Sequence, residues 1–379
     1  MSQFDLLLQG GDVFDPASGQ RGRFDVGFVG DSLAAIEPQI DSSGARNVVQ
    51  ATGCLVVPGL VDVHTHVFET VGESVSADEA CLTRGTTTVV DGGSAGANLF
   101  EAFLRLTGGN RARVLAWLNL STIGQVDIRV GELLALPHAD VEAAVTTARL
   151  HPSLIVGLKA RLSTYVVGGT AKPVLRLLRE AADAAGLPIM VHVGDTGEPL
   201  PEIFEFLRPG DIVTHILTGR KNGILDGAGK IIPEAFEARE RGILFDASRG
   251  RNHEAFPVLQ ATVEQGLLPD TVSTDITRAT ARNRDFGLPL LATHLLSFGV
   301  PLEEVIARIT LNAANAIRRG ELGRLQVGGV ADATLLQLEE GKFALQDVDG
   351  RIRWTDQRLV AVGTVRAGAY SERPRKEAG

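Results

Sequence analysis

The stretch "LVDVHTHVFE", Leu60–Glu69, ends an apolar run in two histidines one residue apart. Along a strand, residues i and i+2 point to the same face. His64 and His66 therefore converge at a strand end, as a metal-ligand pair or as decoration near a turn. Seven further apolar runs decide what this one belongs to. They fall at 86–92, 113–120, 154–159, 188–193, 211–216, 242–247 and 270–275, and with 59–64 they make eight. Segments with helical period lie between many of them. "KPVLRLLREAADAAG" and "IPEAFEARERG" both end in glycine, as helix C-caps do. Strand and helix alternating eight times predict an α/β fold, a (β/α)8 TIM barrel.

The two ends of the chain read differently. "FDLLLQGGDVFD" and "FDVGFVGDSLAAIEP" are short strands broken by Gly-Gly and Gly-Asp, both hairpin signals. "ADATLLQLEE", "FALQDVDGRI" and "RLVAVGTVRAG" near the other end are strand-like too. We therefore expect one small β domain from residues 1–55 and 322–379, around a barrel domain at 56–321. No internal repeat is evident, which excludes a solenoid.

Composition narrows the function classes. The chain has 379 residues, 44% hydrophobic and 22% charged, the balance of an ordinary soluble protein. A net charge of -9 leaves no basic surplus for phosphates, so a nucleic-acid partner is not expected. Two cysteines, Cys54 and Cys81, without a CxxC pair exclude a disulfide-built secreted domain and favour the cytoplasm. The first residues show no basic segment before an apolar core, so no signal peptide is expected. No apolar run approaches the roughly 20 residues of a membrane span. The expected partner is a small-molecule substrate, and self-association into a homo-oligomer is left open.

Barrel chemistry sits where strands end at the C-terminal face. Strand one brings His64 and His66 there, strand four Lys159, strand five His192, strand six His215 and strand eight Asp275. Imidazole and carboxylate suit Zn²⁺ and similar cations. Four histidines and an aspartate exceed the three to four protein ligands that one zinc usually takes, which points to two metals. Only six of the 37 basic residues are lysine, and Lys159 closes an apolar strand, where a charged ammonium is costly. A buried lysine has a lowered pKa, and a neutral amine reacts with CO₂ to give an anionic carbamate. Arginine, always protonated, does not. Taken singly, each residue has a plainer reading: a hydrogen-bonded histidine, a salt-bridged lysine, a helix-capping Asp275. Their coincidence on one rim outweighs those readings.

"PGLVDVHTH" resembles the signature opening of the amidohydrolase superfamily, metal-dependent hydrolases on a distorted (β/α)8 barrel with a terminal β-sandwich. The order His-x-His, Lys, His, His, Asp is similar to its binuclear subtype, as in dihydroorotase, hydantoinase and urease. "RGTTTVVDGGSAGANLF", "LNLSTIG", "GLKARLSTYVVG", "LRPGDIVTHILTGRKNGILD" and "GLLPDTVSTDI" resemble a dihydroorotase-like branch that contains deacetylases. The resemblance covers nearly the whole chain. It implies that His64 and His66 hold the more buried metal beside Asp275. His192 and His215 would hold the second, with carboxylated Lys159 as the bridge. Asp275 would also be the general base toward a bridging hydroxide.

One stretch departs from the branch. Where it carries Gly-His-Gly after Phe-Asp, this chain has Ser248-Arg249-Gly250 in "FDASRGRNHEAF", with His253 following shortly. Arg249, Arg251 and Arg161 are candidates to bind a substrate carboxylate, since guanidinium matches that group bidentately. "DGGSAGA" (91–97) lacks the spacing of a phosphate loop and reads as a tight turn near the site. His138, His151 and His294 lie off the strand ends and read as structural. The expected activity is hydrolysis of an amide or ester, an acetyl group on a small carboxylate-bearing molecule. A cyclic amidase of the dihydroorotase or hydantoinase kind is the alternative, and a non-catalytic scaffold on the same fold is a third reading.

Overall fold

Eight parallel strands run in chain order in one sheet: β1 Leu60–Thr65, β2 Thr86–Asp91, β3 Arg113–Asn119, β4 Ile155–Arg161, β5 Ile189–His192, β6 Ile212–Thr214, β7 Leu244–Ser248 and β8 Thr271–Ser273. The computed structural model describes residues 3–373, so the outermost residues of both expected terminal segments lie outside the described part. The sheet closes on itself just past the ends of β8 and β1. There Asp275 N donates to His64 O at 2.7 Å and His66 N to Ile276 O at 3.1 Å. The strands are buried along nearly their whole length, as a parallel sheet covered on both faces requires.

Val61, Val63, Leu115, Trp117 and Met190 fill the barrel interior, and Trp117 Nε1 donates to Val63 O at 2.9 Å. The short helix Leu311–Ala316 packs Ala313 and Ala314 into the same cluster. Ile309 O just before it accepts from Val61 N at 2.9 Å, so this helix covers the N-terminal mouth. That leaves the opposite mouth for chemistry. Outside the barrel, helices such as Lys172–Ala185 bury one apolar stripe (Val174, Leu175, Leu178, Ala181, Ala182) and stop at Gly186, whose φ of 70° only glycine adopts freely.

Strands from both chain ends form a second, mixed sheet. Its order is 369–372, 352–366, 333–346, 55–58, 6–15, 20–29, 32–37, with 48–50 pairing 6–15. Leu6, Leu8, Val26, Phe28, Leu335 and Val365 share its core, so the two ends are packed together. Gly30-Asp31 is a two-residue hairpin turn between Val29 and Ser32, as expected. Gly10-Gly11 is not a turn. It lies inside the strand Leu6–Asp15 as a bulge, with Gly10 N bound to Asp25 Oδ1 at 2.6 Å, because the carboxylate satisfies the amide that the shifted register leaves out.

Candidate metal centre

At the open mouth the strand ends deliver two groups of ligand-bearing side chains. His64, His66 and Asp275 form one, and His192, His215 and His253 the other; within each group the ligand atoms lie within 4.8 Å of one another. His64 and His215 stand between them, ring centroids 5.1 Å apart. His64, Asp275, His66 and Arg161 line a cavity of about 150 Å³ with His192, His253 and Arg251.

The side chains behind the rings fix which nitrogen faces the cavity. Thr214 Oγ1 donates to Asp246 Oδ2 at 2.7 Å, so it accepts from His64 Nδ1 at 3.0 Å, and His64 Nε2 carries the lone pair. His215 Nδ1 lies 3.0 Å from Ser248 O, which can only accept, so its Nε2 is also unprotonated. That Nε2 is buried with no hydrogen-bond partner among the described residues. A buried lone pair without a donor is costly, and a cation is the group that would use it. His66 Nδ1 is 2.7 Å from Ser94 Oγ, while its Nε2 is 3.1 Å from Asp275 Oδ1. The donor set therefore fits metal ions.

Burial and close charges tune the same groups. Burial first, then the Lys159 ammonium, holds His64 well below the usual imidazole range. His192 and His215 are lowered in the same way by burial and by neighbouring imidazoles. Burial pushes Lys159 down to about 7; its Nζ is 3.3 Å from His64 Nε2 and 3.0 Å from Met190 Sδ. For Asp275 burial works upward and is the largest single influence, but the His66 hydrogen bond and the charges of His66, His215 and His253 together outweigh it and keep the carboxyl below its ordinary value. His215 and Asp275 adopt φ of 71° and 48°, conformations that cost a non-glycine residue about 1–3 kcal/mol and cluster at functional sites. Gly250 makes room for Asp275, since a Cβ there would sit 2.1 Å from Oδ2.

A model of the amidohydrolase family matches residues 55–355. The chain belongs to the amidohydrolase family. It is 31% identical over 354 residues to a deacetylase of Brucella anthropi, covering 91% of this chain and 88% of that protein. A solved structure described as an adenine deaminase superposes with a TM-score of 0.89 at 27% identity, covering 98% of this chain and all of that one. Another, described as a dihydroorotase, gives 0.89 at 29% identity over 97% of both. The protein is thus a hydrolase of a family that typically binds metal.

The arginines of this amidohydrolase part company. Arg161 lines the cavity but is locked to Glu132, with Nε to Oε1 at 2.8 Å and Nη2 to Oε2 at 2.5 Å, both side chains buried. Its Nη1 reaches Tyr165 Oη at 3.1 Å. Arg251 is exposed at the rim and forms no ion pair among the described residues. Arg249 does not line the cavity: it donates to Gln346 O at 3.1 Å and lies over the Phe286 ring, because the chain turns it toward the terminal sheet. Of the remaining histidines, His294 pairs with buried Glu254 and His151 lies 3.5 Å from Glu101.

The glycine-rich turn serves the site sterically. Asp91 Oδ1 accepts from Gly93 N and Ser94 N, and a Cβ on Gly92 would meet His64 Cδ2 at 2.2 Å. Sequence reasoning missed Thr214, Asp246, Glu132 and Ser94 as supports, and did not give His253 a role. Only His253 carried a signal, an imidazole near the departed motif.

Proposed function

We propose that this amidohydrolase removes an acetyl group from a small amide or ester that bears a carboxylate. Two divalent ions, zinc by default, would be held by His64, His66, Lys159, His192, His215 and Asp275. The observation that carries the reading is the pair of buried ligand groups flanking Lys159. Carboxylation would complete the set: the neutral amine would attack CO₂, give up a proton to solvent and leave an anionic carbamate able to serve as a metal ligand. Burial, which pushes Lys159 down to about 7, favours the neutral amine that this step needs.

Bound there, the ions would supply Lewis acidity and lower the pKa of a shared water. The protein's own groups do the rest. Asp275, kept ionised beside His66, accepts a proton from the attacking water and passes it to the leaving group. Thr214 and Asp246 keep His64 Nε2 unprotonated. Arg251, with Arg161 held flat by Glu132, would receive the carboxylate. Residues 56–321 form the catalytic domain in this reading and 1–55 with 322–379 the β-sandwich domain. The cytoplasm is the proposed location, supported by the free, buried Cys54 and Cys81. Among the described residues no helix is long and apolar enough to cross a membrane.

Likeness to the Brucella deacetylase favours acetyl substrates; likeness to the dihydroorotase structure favours a cyclic amide as the second reading. The test assays zinc-supplemented protein on N-acetyl amino acids, O-acetyl hydroxy acids and cyclic amides. Turnover of an acetylated acid is expected. Ring opening alone would move the assignment to the second reading, and no turnover by metal-replete protein would overturn both.

A further inference from the structure

The segment after β7 delivers one more imidazole to the centre than the strand ends do. His253 stands five residues past Ser248, yet its ring centroid lies 4.1 Å from that of His215 and 4.9 Å from that of His192. Its Nδ1 is 3.3 Å from Thr218 Oγ1, a hydroxyl placed to orient the ring. Gly194 leaves the space that the ring occupies: a Cβ there would come within 3.0 Å of His253 Cε1.

We propose that His253 is a metal ligand, the third histidine of a site with His192 and His215 that holds a divalent cation such as Zn²⁺ without help from Lys159. Three points support it. The ligand atoms of the three rings lie within 4.8 Å of one another, so modest ring shifts bring them within the roughly 4.2 Å that two bonds of about 2.0–2.1 Å can span. The partnerless His215 Nε2 lies in this group. His192 and His253 also line the cavity, so a position remains for water or substrate, as in catalytic zinc sites with three protein ligands.

The inference rests on the metal-centre reading of the preceding section, and metal counting separates the two. The protein is equilibrated with Zn²⁺ or Co²⁺, dialysed and analysed for metal, for wild type, Lys159→Ala, His253→Phe and the double variant. Circular dichroism confirms folding, and His253→Asn replaces His253→Phe if the ring change disrupts the loop. We expect about two ions in wild type and about one in Lys159→Ala, with an intense visible Co²⁺ spectrum of low coordination number. In the double variant that last ion should bind at least about 100-fold more weakly. Wild type without metal overturns the metal centre itself. Two ions in wild type with none in Lys159→Ala overturns the three-histidine site alone. So do unchanged Co²⁺ affinity and spectrum in the folded His253 variant.

Discussion

The two ligand groups are built by different means. His64, His66 and Asp275 sit on the seam where the barrel closes, and the bonds Asp275 N to His64 O and His66 N to Ile276 O both join β8 to β1 and set the ligands. His192 and His215 end β5 and β6, but His253 rides on a loop, and that loop is tied to the far end of the chain. Arg249 donates to Gln346 O, Val348 N donates to Glu254 O at 3.1 Å, and Phe256 N donates to Asp347 Oδ2 at 3.0 Å. These partners belong to the hairpin of strands 333–346 and 352–366. The first group is therefore tied to the barrel alone, whereas the second depends, through His253, on a docking contact as well.

The largest expected effect tests the seam group. Asp275→Asn keeps a ligand oxygen but cannot take a proton, so kcat should fall by about 10²–10⁴-fold with metal content largely kept. Near-normal kcat would show that the proton goes elsewhere and that the seam group only holds metal.

Acid should separate the two groups in metal-free protein. Burial holds His64, His192 and His215 well below their usual range and His253 at about 4. In the unfolded chain such rings titrate near 6.5, so below that pH the unfolded state binds protons that the fold does not. Their stability is present above about 6.5 and is lost as pH falls toward 4, by up to about 1.4 kcal/mol per histidine per pH unit. The melting temperature should drop by at least about 10 °C between pH 7 and 5. Three of the four rings belong to the second group, so amide exchange should quicken in residues 249–256 before the seam. Uniform loss of protection would break the contrast.

The sequence made the seam group and the eight strands legible for one reason: parallel strands buried on both faces must be nearly continuous apolar runs. His64, His66, Lys159, His192, His215 and Asp275 interrupt or end those runs, so their positions on one rim follow from strand order. The loop had no such period. An imidazole near the departed motif was a signal for His253, but nothing local showed that it enters the site while Arg249 leaves it. Thr214 and Asp246 look like ordinary strand residues, and their link to His64 exists only once β6 and β7 pair. Gly10-Gly11 misled because the same residues serve turns and bulges, and Asp25, fifteen residues away, decides between them.

Loosening the docking contact should act on one group only. Asp347→Ala removes the acceptor for Phe256 N and for the turn amides of Asp349 and Arg351. A loss of about 1–3 kcal/mol is expected from unsatisfied buried donors. Metal affinity at the second group should weaken, while the seam group keeps its ion. Equal weakening at both groups would mean that the rim behaves as one unit.

The smallest effect concerns substrate, and it uses the two loop arginines against each other. Arg251 is exposed at the cavity rim without an ion pair among the described residues, whereas Arg249 is occupied by Gln346 O and the Phe286 ring. A charge-assisted hydrogen bond is worth about 1.5–3 kcal/mol, so Arg251→Ala should lower kcat/KM for an acetylated acid by roughly 10- to 100-fold. The methyl ester or primary amide of the same acid should lose little, because the carboxylate is what Arg251 would hold. Arg249→Ala should change kcat/KM by less than about threefold with either substrate and act instead through the hairpin contact, as a lower melting temperature. If Arg251→Ala leaves kcat/KM for the acid unchanged, or lowers acid and ester alike, the carboxylate must be held elsewhere. Arg161 is then the remaining guanidinium in the cavity, and its buried pairing with Glu132 predicts a weaker preference for anions.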